Sequence, residues 1–327
     1  MTIFHPAEIQ FALETTRQAV QLVQMIQKEL VGEALTKDDR SPVTVADFAA
    51  QAWIGYRLSQ TYPEDCLVAE EDSARLKSDP AMLNKATDFI RRLTPEATSD
   101  RVASWIDHNR AEGGERFWTL DPIDGTKGFL RGEQYAVALA LVIDGRVALG
   151  VLGCPHLNPN AEAAHNTGAL FYAARGYGAW AVDLQKQQTA QRLKTSSRTD
   201  PAEARLLRSY ESGHTNTTQI DEFIKIMKLQ AEPVLMDSQA KYAVLAAGGA
   251  EILLRLLSER QPSYREKIWD HAAGSIILEE AGGQISDLDG KPLDFTTGRA
   301  LNNNRGILAS NGRLHVAALE ALQKVGA

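Results

Sequence analysis

Apolar side chains in the N-terminal part of the chain recur at spacings that define the first predicted elements. In residues 7–30 they return every three or four positions, which predicts an amphipathic helix. Residues 41–46 are expected to form an extended or turn segment. A second helix is predicted to begin at Asp47, whose side chain would cap it. The short apolar run 67–69 predicts a strand that delivers Glu70 at its end.

From residue 117 onward the pattern becomes one of strands separated by turns. The polar stretch 185–201 is the best candidate for a linker and divides the chain into domains 1–200 and 201–327. In the second domain strands and helices alternate, which is typical of a smaller α/β domain. Strands are predicted at 117–120, 135–143, 147–152, 168–172, 178–182, 205–209, 250–257, 283–286 and 307–310, and helices at 218–229, 238–247, 270–281 and the C terminus.

Composition narrows the classes of function. The 327 residues carry 35 Lys and Arg against 42 Asp and Glu, a net charge of −7, without a basic run. Such a chain lacks the electrostatic footprint of a protein that binds nucleic acid or an anionic membrane, although it can still bind a small anion through a local cation. The longest apolar stretch, 135–143, is short of the ~20 residues that a membrane-spanning helix needs.

The two cysteines and the N terminus add to that picture. Cys66 and Cys154 lie far apart and form no CxxC motif, which indicates neither a disulfide framework nor a thiolate metal site. The N terminus has no basic stretch followed by an apolar block, as a cleaved signal would. We therefore expect a cytoplasmic protein with a small-molecule partner, and no obligate protein partner is evident.

The run Asp-Pro-Ile-Asp-Gly-Thr at 121–126 is the most informative motif. A strand delivers Asp121, and Pro122 is expected to end the pairing so that both carboxylates lie near one point. Gly125 and Thr126 then open a short helix, whose free N–H groups favour an anion. Two carboxylates beside an anion repel it unless a cation intervenes, and oxygen ligands favour Mg²⁺. The alternative is a turn with an Asp cap.

Three other acidic segments become informative beside this motif. Glu70 and Glu71 follow the predicted strand 67–69, but on their own they would read as a solvated loop. Asp270 stands at the start of a predicted helix, and both Asp270 and Asp47 could simply cap helices. A capping carboxylate can still bind a metal through its second oxygen.

These motifs together resemble those of a known family. Glu70 with Glu71, residues 121–126 and residues 269–274 are similar, in order and spacing, to the three motifs of the lithium-sensitive, Mg²⁺-dependent phosphatases of the inositol monophosphatase superfamily. Within it the chain most resembles the 3'(2'),5'-bisphosphate nucleotidases. The runs that carry this second resemblance are 41–44 with Asp47, 117–132, 237–242 and 263–270. The resemblance implies a layered αβαβα sugar-phosphatase fold, an α+β domain followed by an α/β domain with the site between them.

The resemblance also implies roles for individual residues. Two or three Mg²⁺ ions would be held by Glu70, Asp121, Asp124, Asp270 and the carbonyl of Ile123. Asp47 with the hydroxyl of Thr126 would orient and deprotonate the attacking water, and Glu71 would help to order a water on the metal. The N–H groups of Gly125 and Thr126 would hold phosphate oxygens.

The implied substrate is adenosine 3',5'-bisphosphate, which would lose its 3'-phosphate to leave AMP, with 3'-phosphoadenylyl sulfate as a second substrate. Its other phosphate needs cations away from the metals, and Lys241, Arg255 and Lys267 stand in similar contexts, with Ser238 also in reach. His214 would contact adenine or ribose. Arg255 could instead be a strand-edge arginine, Lys241 an exposed residue and His214 a loop residue. The alternative functions are an inositol (poly)phosphate or sugar-phosphate phosphatase and a non-catalytic nucleotide or metal sensor.

Overall fold

The computed structural model describes residues 6–30, 41–164, 167–185, 189–209, 217–257, 261 and 263–327. His214, named above as a nucleotide contact, lies outside the described residues. Among the described helices, none is long and apolar enough to cross a membrane.

Ten α-helices and twelve strands are formed by the described residues. The helices are α1 (Pro6–Leu30), α2 (Ser41–Thr61), α3 (Ser73–Lys77), α4 (Pro80–Arg91), α5 (Ser99–Ile106), α6 (Thr126–Arg131), α7 (Thr217–Met227), α8 (Ala240–Ala246), α9 (Ala272–Glu280) and α10 (His315–Val325). The strands are β1 (Cys66–Ala69), β2 (Arg116–Asp124), β3 (Ala136–Ile143), β4 (Arg146–Cys154), β5 (Ala169–Ala174), β6 (Gly178–Asp183), β7 (Gln191–Arg192), β8 (Leu206–Arg208), β9 (Val234–Leu235), β10 (Ile252–Arg255), β11 (Gln284–Ser286) and β12 (Ile307–Ser310). The 3₁₀-helical turns Pro201–Glu203 and Ile268–Asp270 complete the regular structure used below.

The strands form two sheets. The larger has the order β1-β2-β3-β4-β5-β6-β7, in which β1 and β2 are parallel and every other pair is antiparallel. The smaller has the order β11-β12-β10-β8-β9, in which β10, β8 and β9 are parallel to one another. Since parallel strands end at the same edge, three chain segments leave the smaller sheet together.

Alternating side chains pack each sheet between helices. On β3, Val137 and Leu139 belong to the core that α1 and α2 cover, whereas Ala138 and Ala140 face α8 and α9. The smaller sheet shares that second core, and its opposite face packs on α7 and α10. This period of two produces the expected layers of helix, sheet, helix, sheet and helix.

Two local expectations from the sequence are wrong. Helix α2 begins at Ser41, so Asp47 lies inside the helix and does not cap it. A proline in the first helical turn is favourable because its missing N–H has no partner there, so Pro42 is compatible with this start. Strand β2 also continues through Pro122, since a bulge skips the proline: Asp121 pairs with Ala138 and Asp124 with Ala136.

The expected linker at 185–201 is partly regular structure. It contains β7, the last strand of the larger sheet, and Leu193 is buried in the core beneath α8 and α9. The boundary between 1–200 and 201–327 stays a prediction.

The close packing of α9 on β4 depends on Gly150. A Cβ at this position would lie 2.6 Å from the Cγ2 of Ile276 and 2.7 Å from the carbonyl oxygen of Ala273. We expect Gly150→Ala to lower the free energy of unfolding by about 1–3 kcal/mol, the usual effect of overpacking, as measured by urea denaturation. Gly114→Ala is the control, because a Cβ there meets no atom closer than 3.9 Å. Equal stability of the two variants would contradict this account of the layer contact.

Candidate active site

The parallel pair β1 and β2 places the first two acidic groups side by side. Ala69 is in register with Leu120, so Glu70 and Asp121 follow at the same edge of the sheet. Their carboxyl groups are close enough for each to affect the pKa of the other. Asp121 also accepts a hydrogen bond of 3.1 Å from the main-chain N–H of Ile123, within the bulge.

The second pair of acidic groups comes from the end of β2 and from the turn Ile268–Asp270. Asp124 accepts a hydrogen bond of 2.7 Å at Oδ2 from the main-chain N–H of Gln239. Asp270 ends the 3₁₀ turn, and His271, not Asp270, occupies the cap position of α9. The carboxylate of Asp270 is therefore not used for capping.

Burial and mutual repulsion together raise the pKa values of three of these groups. Burial, with the nearby charges of Glu70 and Asp124, raises the pKa of Asp121 well above its ordinary value. Partial removal from water, followed by repulsion from Asp270, raises the pKa of Glu70 to about 7. Burial raises the pKa of Asp270 to about 6, although Arg255 opposes the shift. The cluster is thus short of positive charge.

Helix α2 brings Asp47 to the edge of this cluster. The side chain is 8% exposed, and burial, then repulsion from Glu71 and Glu70, raises the pKa of Asp47 well above its ordinary value. One turn later, the amide of Gln51 donates to the carbonyl of Glu71 at 2.9 Å and accepts from its N–H at 3.0 Å. This buried amide, to which we assigned no role from the sequence, fixes the acidic segment against α2.

Gly125 allows β2 to turn directly into α6. Its φ of +94° is in the left-handed region, and a Cβ would lie 2.9 Å from the Cβ of Ser238. Thr126 follows as the first residue of α6, with an exposed side chain on the wall of a cavity. Both residues line this cavity, and their contacts with phosphate stay a prediction.

That cavity, of about 380 Å³, lies where the three parallel strands of the smaller sheet end. Crevices at the carboxyl ends of parallel strands are the usual ligand sites of α/β sheets. Its polar and charged lining includes Asp124, Gly125, Thr126, Lys127, Arg208, Ser209, Asp237, Ser238, Lys241, Arg255 and Asp270. The apolar part of the wall is formed by Leu130, Ile220, Leu253 and Leu254.

The cations predicted for a second phosphate divide into two groups. Lys241 and Arg255 line the cavity, and Lys241 donates hydrogen bonds to Ser209 at 3.4 Å and to the carbonyl of Met236 at 3.2 Å. Burial lowers the pKa of Lys241 to about 8. Lys267 is half-buried and does not line the cavity. Arg208, at the end of β8, is a cavity cation that the sequence analysis missed, because only the parallel pairing of β8 with β10 brings it there.

Arg255 is held by a buried network. Its Nε lies 2.8 Å from Oε2 of Glu266, and His271 contacts the same oxygen at 3.1 Å. The second ring nitrogen of His271 lies 2.9 Å from the hydroxyl of Tyr242. Ligand atoms of Glu266, Asp270 and His271 lie within 4.8 Å of one another, as in a metal site. Since Glu266 and His271 already have partners, we assign this network to holding Arg255, which is not a freely solvated edge arginine.

Gln239 connects Asp124 to the turn that carries Asp270. Besides the main-chain bond to Asp124, its side-chain amide donates to the carbonyl of Trp269 at 2.9 Å and accepts from the N–H of Gly274 at 3.2 Å. The side chain is buried. The position of Gln239 inside the run 237–242 is a sequence signal for a role in the site, but its hydrogen-bond partners could not be predicted from the sequence.

Two proteins similar to this chain over nearly its whole length have the same kind of name. Relatives include "3'(2'),5'-bisphosphate nucleotidase 1" of Candida albicans, 37% identical over 98% of this chain and 96% of its own length. The "3'(2'),5'-bisphosphate nucleotidase" of Oryza sativa is 40% identical over 98% and 94%.

Solved structures show the same fold at lower identity. An inositol monophosphatase from Zymomonas mobilis is 21% identical with a TM-score of 0.66, over 98% of this chain and all of that one. An IMPase of Thermotoga maritima is 22% identical with a TM-score of 0.65, over 98% of both chains. The sequence model described as "Inositol monophosphatase family" matches residues 7–327. The chain therefore belongs to the inositol monophosphatase family.

Proposed function

We propose that this protein is a Mg²⁺-dependent phosphomonoesterase that removes the 3'-phosphate of adenosine 3',5'-bisphosphate, with 3'-phosphoadenylyl sulfate as a second substrate. The observation that carries the proposal is one cavity whose wall includes the carboxylates of Asp124 and Asp270 together with the cations Lys241, Arg255 and Arg208. The names of relatives at 37–40% identity support the same substrate class. A cytoplasmic location stays a prediction from the sequence.

The donor set fits Mg²⁺, on which this family in general depends. Oxygen ligands suit a hard cation. Burial, with neighbouring carboxylates, raises the pKa values of Glu70 and Asp270, and a bound cation would favour their charged forms. Two or three ions would be held by Glu70, Asp121, Asp124, Asp270 and the carbonyl of Ile123. Bound Mg²⁺ supplies Lewis acidity, which neutralises charge on phosphate oxygens and makes water easier to deprotonate.

We assign the activation of water and the binding of phosphate to residues of the chain. The Thr126 hydroxyl orients the attacking water, and Asp47 accepts its proton. Main-chain N–H groups of Gly125 and Thr126 donate to the phosphate oxygens as charge shifts among them. The water oxygen bonds to phosphorus as the bond to the 3'-oxygen breaks. That oxygen takes a proton from solvent, and Asp47 later returns to solvent the proton that it accepted.

Recognition of the second phosphate is assigned to the cavity cations. Lys241 and Arg255 are fixed by neighbouring groups before any ligand binds, so little side-chain freedom is lost on binding. Arg208 enters from the adjacent strand end, and Ser238 contributes a hydroxyl on the same wall. A monophosphate such as an inositol phosphate leaves these cations without a partner.

We expect purified protein with Mg²⁺ to release phosphate from adenosine 3',5'-bisphosphate and to form AMP, with inhibition by Li⁺. A colorimetric phosphate assay over a panel of nucleotide, inositol and sugar phosphates measures this. Asp121→Asn should lower kcat by more than about a hundredfold, since loss of even an outer partner of a metal ligand costs ~10–100-fold. Efficient hydrolysis of inositol phosphates with none of the nucleotide would favour the inositol phosphatase alternative.

The cavity cations should control KM for the bisphosphate. Lys241→Met removes a charge-assisted hydrogen bond to phosphate, for which we expect KM to rise about tenfold or more, since such bonds contribute ~1.5–3 kcal/mol. KM for a nucleoside 3'-monophosphate should change less than about twofold by the same reasoning. Lys267→Met is the matched control, because Lys267 does not line the cavity. Equal effects of both variants on both substrates would contradict the assignment.

The stability of the metal-free protein should fall as pH rises. The pKa of Glu70 is raised to about 7 and that of Asp270 to about 6, so at these two groups the folded chain binds more protons than the unfolded chain. Burial lowers the pKa of His315 to about 4, which has the opposite effect below pH 6.5, so the range that tests the carboxyl groups is pH 6.5 to 8. Urea midpoints in EDTA should therefore decrease across this range, and saturating Mg²⁺ should reduce the decrease. Asp270→Asn removes one of the titrating groups and should flatten the pH profile. Stability that rises with pH over this range would contradict the raised pKa values of Glu70 and Asp270.

A further inference from the structure

Glu70 and Asp270 come from segments that are distant in sequence, and one further residue contacts both segments. Glu70 follows Ala69 at the end of β1, and Asp270 follows Trp269 in the turn Ile268–Asp270. Among the charges acting on Glu70, Asp270 has the largest effect. The distance between these two carboxylates thus matters for any ion that they share.

The side chain of Arg299 contacts both segments. Its Nη2 donates a hydrogen bond of 2.6 Å to the carbonyl of Ala69, and its guanidinium carbon lies 4.7 Å from the centroid of the Trp269 ring. The main-chain carbonyl of Arg299 also accepts from the N–H of Ile268 at 3.2 Å. One half-buried residue therefore holds the positions directly before Glu70 and directly before Asp270.

The segment that carries Arg299 is itself well anchored. The buried carboxylate of Asp287 accepts from the N–H of Lys291 at 2.8 Å and from the amide of Asn304 at 3.1 Å. These bonds tie both ends of the irregular stretch between β11 and β12 to one point. Arg299 therefore extends from a segment whose position is fixed by these hydrogen bonds.

We propose that Arg299 is a positioning residue that sets the separation of Glu70 and Asp270, and through it the affinity of the site for divalent cations. The proposal rests on the proposed function only for the presence of a cation at these carboxylates. Arginine suits the role because its planar fork can donate to a carbonyl at its edge while its face stacks on an aromatic ring.

The positioning role and a simple charge effect predict opposite signs. Arg299 carries a positive charge close enough to Glu70 to interact with it. Removing that charge alone should strengthen cation binding, because like charges repel. Loss of positioning should weaken it, as loss of partners behind metal ligands does, by about ten- to a hundredfold.

The experiment measures binding of Mn²⁺ to nucleotide-free protein by electron paramagnetic resonance of the free ion. We expect the Kd for Mn²⁺ to rise about tenfold or more in Arg299→Met, and by a smaller factor in Arg299→Lys, which keeps one donor but not the fork. Arg305→Met is the matched control, since Arg305 lies on the same stretch but binds the carbonyl of Ala327 at 2.7 Å and the carboxylate of Asp289 at 3.3 Å. Its Kd should stay at the wild-type value.

Three results would overturn the proposal: Arg299→Met binding Mn²⁺ as tightly as wild type or tighter, equal weakening in Arg305→Met, or a wild-type chain that binds no Mn²⁺. Circular dichroism in EDTA checks folding. If Arg299→Met does not fold, Arg299→Lys decides, and an unchanged Kd rejects the role. A wild type that binds Mn²⁺ but hydrolyses no bisphosphate would reject the proposed function and leave the comparison of variants valid.

Discussion

The repulsion among the carboxylates of Glu70, Asp121, Asp124 and Asp270 is the constraint on which the rest of the site depends. Buried like charges cost free energy unless protons or cations neutralise them, and burial together with the neighbouring carboxylates raises the pKa values of Glu70, Asp121 and Asp270. The cost is tolerated because the carriers are rigid: the ends of parallel strands, a bulge and a short turn packed between two sheets. Next to these groups, the ends of the three parallel strands of the smaller sheet form the wall of a cavity that could take an anion.

The part of the site that could be predicted from the sequence is contiguous. Asp121, Asp124, Gly125 and Thr126 lie in one short run, and a strand followed by a helix start is enough to bring them to one place. Gln239, Arg208 and Arg299 could not be found in this way, because their partners are distant in sequence. Gln239 links Asp124 to Trp269, and Arg299 links Ala69 to Trp269. Such contacts exist only once both sheets are assembled.

The incorrect predictions about the fold also arise from tertiary contacts that the local sequence does not show. The β-branched run after Pro42 predicts an extended segment, but burial of Val45 and Ala46 in the core of the larger sheet makes it helical, so tertiary packing overrides local preference. Pro122 predicts the end of a strand, yet a bulge accommodates it. The long apolar run fared better: the strand predicted at 135–143 forms at 136–143, since both of its faces are covered. Local propensity therefore predicted the wrong structure where tertiary packing accommodated a proline or a β-branched run.

The central claim is that divalent cations replace protons among these carboxylates. Addition of Mg²⁺ to weakly buffered, metal-free protein in a pH-stat counts the protons released. The account predicts clear release at pH 6.5, where Glu70 and Asp270 hold protons in part, and much less at pH 8.5. Binding of Mg²⁺ with no proton release at pH 6.5, or release that is equal at both pH values, would contradict it.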